Sequence, residues 1–157
     1  MVRRLFLVPF GVALAVAAGA LFFLLAALLD PVMARLTGDT LFVGFWSLID
    51  AIFQVDDPGL VLAGAMTGLS QLALTLLVVP PAFVALVGEV VGIRSVAWYA
   101  GGAGLLTAAI PWLLRGEARI GSTDEIHVTL VLGLTGAVAG LVYWLFAGRN
   151  ARQSAAG

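Results

Sequence analysis

Long runs of apolar residues separated by short polar connections make up most of this chain. Four of these runs approach or exceed the roughly 20 residues that a helix needs to cross a bilayer. They cover residues 5–29, 60–88, 96–114 and 126–147. The pattern predicts an all-α fold: an integral membrane four-helix bundle of two helical hairpins, in a single transmembrane domain.

The first run follows Arg3 and Arg4 and ends at Asp30–Pro31, where an acid and a proline both oppose continuation of a helix. A cleaved signal peptide is the alternative, because residues 15–20 (AVAAGA) are small enough for a signal peptidase. Signal peptides, however, have apolar cores of only about 7–15 residues. The longer run therefore predicts an uncleaved first span.

A shorter apolar segment, residues 41–55, follows a polar connection over residues 30–40. Read as a helix, it separates polar and small residues from aromatic ones, which predicts a short interfacial helix between the first and second spans. A re-entrant half-helix is the competing interpretation. The polar side holds Gly44, Ser47, Asp50, Ala51 and Gln54, and the apolar side holds Phe42, Phe45, Trp46, Ile49 and Phe53.

The second long run is interrupted by Pro80 and Pro81. Each proline removes a backbone donor and crowds the preceding turn, so carbonyls near Leu76 and Leu77 need other partners, such as Thr75 or a neighbouring helix. We expect a kink here. A loop, which would leave the rest of the run as a half-span, is the alternative.

Small residues recur on all the predicted spans, twice in the GxxxG spacing. They let helix backbones approach closely in lipid, where burial of apolar surface gives little incentive to associate. We therefore predict that glycine faces pack the helices together or against another membrane protein. The predicted helix-packing residues are Gly64, Gly68, Gly101, Gly104, Gly133, Gly136 and Gly140.

The distribution of arginine predicts that both termini are cytoplasmic, since cytoplasmic loops carry the excess of basic residues. Arg3, Arg4, Arg94, Arg149 and Arg152 then lie inside, and Arg35, Arg115 and Arg119 lie outside. Aromatic residues at the predicted span ends fit belts at the two interfaces. These are Trp98, Tyr99, Tyr143 and Trp144 inside, and Trp46 and Trp112 outside.

Composition removes several functional classes. The 157 residues are 62% hydrophobic and 11% charged, against about 25% charged in soluble domains. No cysteine and a single histidine exclude thiol chemistry and bis-histidine haem ligation by one chain, so no cofactor is predicted. A net charge of −1 with no basic run argues against a nucleic-acid partner.

Three polar residues in or beside the second span are candidate functional groups: Glu89, Arg94 and Gln71. An ionisable group within a span is costly unless paired, so Glu89 is either a proton-relay or ligand residue, or the ion-pair partner of Arg94 across the turn. Gln71 suits a hydrogen bond between helices, or else a substrate contact.

The sequence offers two further candidate chemical sites, a Ser–His pair and a cluster of acids. Ser70 and His127 are the only possible Ser–His pair, but the sequence GLSQ lacks the small-residue motif of intramembrane proteases, so no catalytic residue is predicted. The acids Asp56–Asp57 and Asp124–Glu125 would suit a divalent cation if their loops met, because carboxylates suit hard cations. Solvated acidic loops are the ordinary interpretation, and no metal site is predicted.

Two segments resemble small, uncharacterised four-helix inner-membrane proteins of alphaproteobacteria. The first runs from Pro81 to Leu105, with Glu89, Arg94 and Tyr99 among its residues, and the second from Gly136 to Ala151 (GAVAGLVYWLFAGRNA). The resemblance implies a multi-pass protein of the bacterial inner membrane. It implies no activity and carries no functional residue.

Taken together, these observations predict a small non-enzymatic membrane protein. It would serve as a structural or accessory subunit, packed in the lipid bilayer against a larger complex or against itself. The alternative is a small transporter or channel component that uses Glu89 and Gln71.

Overall fold

The computed structural model describes residues 2–116 and 122–148, and within these residues every regular element is helical. Three π-helical turns join or extend the α-helices. The α-helices are α1 Val2–Leu29, α2 Pro31–Gln54, α3 Pro58–Ala73, α4 Val79–Val91, α5 Gly102–Arg115 and α6 Thr123–Tyr143. The π turns are Leu74–Val78, Ala97–Gly101 and Trp144–Gly148.

Four helices among the described residues are long and apolar enough to cross a membrane: Leu7–Leu29, Pro31–Gln54, Pro58–Val91 and Thr123–Ala147. Three coincide with predicted spans. The predicted span 96–114 is also helical, as the turn Ala97–Gly101 followed by α5. The fourth helix that meets these criteria is instead Pro31–Gln54, where the sequence predicted only a short helix.

The expected polar connection over residues 30–40 is wrong, because most of it forms the first half of α2. Asp30 Oδ1 accepts the backbone N–H groups of Val32 and Met33, each at 3.0 Å, and so caps the new helix. Pro31 occupies the first helical turn, where its missing N–H costs nothing. The Asp–Pro pair that ends α1 therefore also begins α2.

The chain passes the two prolines without a loop, as expected. The π turn Leu74–Val78 precedes them, and the N–H of Val79 bonds the carbonyl of Leu74. Pro80 and Pro81 then lie at the start of α4, where a helix tolerates proline. Thr75 does not serve the freed carbonyls, because its hydroxyl donates to Gln71 O at 2.8 Å.

Helix α6 lies at the centre of the fold and packs against α1, α4 and α5. We call these four the core helices. Tyr99 and Tyr143 are 2% and 1% exposed, and their rings lie 5.3 Å apart between centroids. The prediction that both belong to an interfacial belt is therefore wrong. Thr107 and Thr135 are buried as well, each donating to the carbonyl four residues earlier.

Glycine residues let the backbones of α5 and α6 come into direct contact. A Cβ on Gly136 would lie 2.5 Å from the Ala103 carbonyl oxygen. A Cβ on Gly140 would overlap the Tyr99 carbonyl. On α5, a Cβ on Gly104 would lie 2.9 Å from the Gly133 carbonyl. The second predicted GxxxG thus lies at a helix contact within the chain.

Helices α2 and α3 form a hairpin that is mostly exposed, and we call it the α2–α3 hairpin. Met33 is its only buried residue among the two helices. Large apolar side chains point outward along both helices. They include Leu41, Phe42, Val43, Phe45, Trp46 and Phe53 on α2, and Leu60, Met66 and Leu69 on α3.

Candidate functional site

One face of α3 combines small and polar residues and is uncovered. Gly64, Thr67, Gly68 and Gln71 occupy positions i, i+3, i+4 and i+7, so they share a side of the helix. All four are exposed, and a Cβ added at Gly64 or Gly68 would meet nothing within 4 Å. We call this set the α3 face. These two glycines, although predicted to pack helices, have no partner helix within the described chain.

Gln71 is the polar member of the α3 face that stands out. Its backbone carbonyl accepts the Thr75 hydroxyl, but its exposed side-chain amide forms no hydrogen bond with any described residue. The neighbouring hydroxyls bond their own helix: Thr67 donates to Ala63 O and Ser70 donates to Met66 O, both at 2.7 Å. An amide without a hydrogen-bond partner would be costly to place in lipid.

The single histidine lies on α6, at the corner where α1 meets α2. His127 Nε2 contacts Asp30 Oδ2 at 2.9 Å, joining α6 to the corner between α1 and α2. Nearby, Arg35 of α2 forms an ion pair with Asp124 of α6 at 3.2 Å. Since Ser70 bonds within α3, the structure does not bring Ser70 and His127 together as a catalytic pair.

The N-terminus of α6 is closed by a capping box. Ser122 Oγ accepts the Glu125 N–H at 3.3 Å, and Glu125 Oε2 accepts the Ser122 N–H at 2.8 Å. Asp57 likewise caps α3, accepting the Gly59 N–H at 2.9 Å. Within the described residues, no three His, Cys, Asp or Glu side chains are grouped to hold a metal ion. Among the acids of the two loops, Asp57 and Glu125 instead cap helices, and Asp124 pairs with Arg35.

The expected ion pair between Glu89 and Arg94 is absent from the described residues. Glu89 Oε1 instead accepts a long hydrogen bond, 3.4 Å, from the Tyr143 hydroxyl. The turn explains this arrangement. Gly92 has φ 77°, and the Ile93 N–H returns to Gly88 O at 2.9 Å. Beyond that turn Arg94 is exposed, and its backbone carbonyl accepts Trp144 Nε1 at 2.9 Å.

Sequence reasoning missed the contacts that hold the Glu89 end together. Tyr99 donates to Ile93 O at 2.9 Å, and a Cβ on Gly88 would lie 2.6 Å from the Tyr99 hydroxyl. Nothing in the local pattern distinguishes these tyrosines from interfacial ones. Of the remaining residues that were predicted to pack helices, one contacts a neighbouring helix and one does not. Gly133 lies against Ala108, and Gly101 faces open space.

Compared with protein-family models, curated proteins and solved structures, the chain gives no match. The resemblance to alphaproteobacterial inner-membrane proteins therefore stands on the two sequence segments alone. The function has to be argued from the geometry.

We expect the protein to lose stability in acid because of the Asp30 carboxylate. Its pKa is held below the usual value by the hydrogen bond from the Met33 N–H, and further by the hydrogen bond and charge of His127, against the opposing effect of desolvation. A depressed pKa stabilises the fold above the unfolded value of 3.8, and the contribution is lost as pH falls through the folded pKa. We expect the stability advantage of the natural chain over Asp30→Asn to be constant above about pH 5 and to shrink below about pH 4.

Thermal unfolding in detergent, followed by circular dichroism from pH 6 to pH 3, measures this difference. Asp39→Asn is the matched control, because Asp39 is an exposed carboxylate in the same helix with no side-chain partner among the described residues. Parallel curves for the natural chain and Asp30→Asn would show that Asp30 plays no part in the acid response.

Proposed function

We propose that this chain is a small non-enzymatic integral membrane protein of the bacterial inner membrane. In this proposal it is a structural or accessory subunit that binds another membrane protein, or a second copy of itself, through the α2–α3 hairpin. The observation that carries the proposal is the α3 face, where Gly64, Gly68 and the unpaired Gln71 amide lie together and uncovered.

The contrast between the two GxxxG faces supports this interpretation. On α6, Gly136 and Gly140 admit the backbone of a neighbouring helix. On α3, the same spacing meets only open space. Small-residue faces associate helices in lipid by close van der Waals packing and by hydrogen bonds between helices. A partner helix seated on the α3 face would supply both, including a partner for Gln71.

The orientation belongs to the proposal as well. The arginine distribution favours cytoplasmic termini. It also places the corner at Asp30 on the outer side of the membrane. The side chains of Arg3, Arg4, Arg115, Arg119, Arg149 and Arg152, on which this count partly depends, lie outside the described residues.

A transporter or channel component is the second candidate, favoured by one observation. Glu89 is half-buried in an apolar helix, beside the buried Tyr143. A carboxylate in this setting suits proton or substrate handling. Gln71, the other group this function would use, lies instead on the exposed α3 face.

The test is purification of the tagged protein from its native membrane in mild detergent, with mass spectrometry and mass determination of the complex. We expect a stoichiometric membrane-protein partner or a defined homo-oligomer. Gly64→Leu with Gly68→Leu should reduce the complex at least about tenfold, the change that 1.4 kcal/mol produces. The reason is that leucine side chains would hold the partner backbone away.

Gly101→Leu is the control, because Gly101 is equally open but lies away from the hairpin, in the π turn Ala97–Gly101 that leads into α5. It should leave the complex intact. A monomer without partner would overturn the accessory role. A complex lost only in Gly101→Leu would move the interface away from the hairpin.

A further inference from the structure

The position of the α2–α3 hairpin depends on very few contacts. Among the described residues α3 buries no residue, and α2 buries only Met33, near its N-terminus. The hairpin therefore has no packed interface along its length. It joins the core helices at two places: the corner where α1 meets α2, and the π turn Leu74–Val78, through which α3 continues into α4.

A single carboxylate holds that corner from both sides. Asp30 Oδ1 caps α2 through the N–H groups of Val32 and Met33. Asp30 Oδ2 contacts His127 Nε2 of α6 at 2.9 Å, and both side chains are partly buried. The same residue thus fixes the start of the hairpin and ties it to the centre of the fold.

The other link at this end is weaker. Arg35 and Asp124 are 62% and 49% exposed, and solvent screening leaves an exposed ion pair with little net contribution. Glu125, the remaining acid of the first turn of α6, contacts the Ser122 N–H in the capping box. Asp30 and His127 therefore form the stronger of these two side-chain contacts between the start of the hairpin and α6.

We propose that the Asp30–His127 contact is a clasp that holds the α2–α3 hairpin against α6. Breaking it lets the hairpin swing about the corner at Asp30, with bending of the second attachment at the π turn Leu74–Val78. Since the hairpin carries the α3 face, the clasp sets where that face is presented to a partner. This consequence rests on the proposed function, whereas the clasp itself is a property of the isolated chain.

Distance measurement between spin labels tests the clasp directly. The chain has no cysteine, so Ser47→Cys on α2 and Leu105→Cys on α5, both exposed, provide two unique labelling sites. Ser47 lies about 25 Å along α2 from the corner, at 1.5 Å per residue. Each 10° of swing would therefore move the label by about 4 Å.

We expect a narrow distance distribution for the natural sequence in lipid nanodiscs. His127→Ala should broaden it or shift it by at least about 4 Å, corresponding to 10° of swing. His127→Gln should restore the narrow distribution, because its amide can still donate to Asp30. Asp39→Asn, which removes a neighbouring exposed carboxylate, should change nothing.

An unchanged distribution in His127→Ala would overturn the clasp. If His127→Ala loses helical structure, Asp30→Ser replaces it as the test, because serine caps a helix as well as aspartate but has a single side-chain oxygen, which leaves none for His127. A narrow, unshifted distribution in that variant would likewise overturn the clasp. Because no partner is present in the measurement, the clasp and the accessory role can fail separately.

Discussion

Gly140→Ala is expected to cost about 3 kcal/mol of stability, the upper part of the usual range for overpacking a core. The added methyl group would overlap the Tyr99 carbonyl oxygen and would lie 2.6 Å from its carbonyl carbon. The Ala100 Cα atom is only 3.0 Å away. These are backbone atoms that no change of rotamer can move, so α6 and the π turn Ala97–Gly101 have to separate.

Gly64→Ala is the matched control, with the opposite sign expected. Its methyl group would enter open space, and replacing glycine by alanine in an exposed helix is favourable by about 1 kcal/mol. Thermal unfolding in detergent, followed by circular dichroism and by the monodisperse fraction on size exclusion, compares the two variants. Equal stability would contradict the close α6 contact.

The apolar runs predict where most of the helices lie, because length and hydropathy are properties of the local sequence. The error at residues 30–40 has a physical origin. Asp30 and Pro31 oppose continuation of α1, but the same carboxylate and ring favour the start of a helix. A stop signal and a start signal are the same two residues here, so the pattern alone does not separate a connection from a new helix.

The spacing of glycines predicts a face suited to packing without showing what covers it. Gly64 and Gly68 share the spacing of Gly136 and Gly140, yet only the second pair meets a neighbour within the chain. The neighbours of Gly136 are Ala103 and Thr107, which are distant in the sequence. Only the tertiary arrangement brings them together.

The same limit applies to the charged residues. Arg94 follows Glu89 closely, which made an ion pair the natural expectation. The Glu89 carboxylate instead contacts Tyr143 from α6. His127 follows Asp124 and Glu125 closely in the sequence, yet it contacts Asp30, at the far end of α1. Sequence proximity therefore does not identify the partner in either case.

Tyr143→Ala is expected to destabilise the protein by about 3–5 kcal/mol, the cost of truncating a large buried aromatic side chain. Tyr143 is 1% exposed and its ring packs against that of Tyr99. A Cβ on Gly11 would lie 3.4 Å from two carbons of the Tyr143 ring, so α1 also packs against it. Removing the ring leaves a cavity where three helical segments meet, and unfolding in detergent measures the loss.

Tyr143→Phe distinguishes the contribution of the aromatic ring from that of its hydroxyl group. Because the hydroxyl contacts Glu89, the variant also tests the role of Glu89. The bond to Glu89 Oε1 is long at 3.4 Å, and we expect its loss to cost under about 1.5 kcal/mol. A small cost would show that the ring stabilises this end of the fold and that Glu89 is held loosely. A cost near that of Tyr143→Ala would contradict this expectation. It would show Glu89 firmly engaged by the hydroxyl, and that result would favour the transporter interpretation over the accessory one.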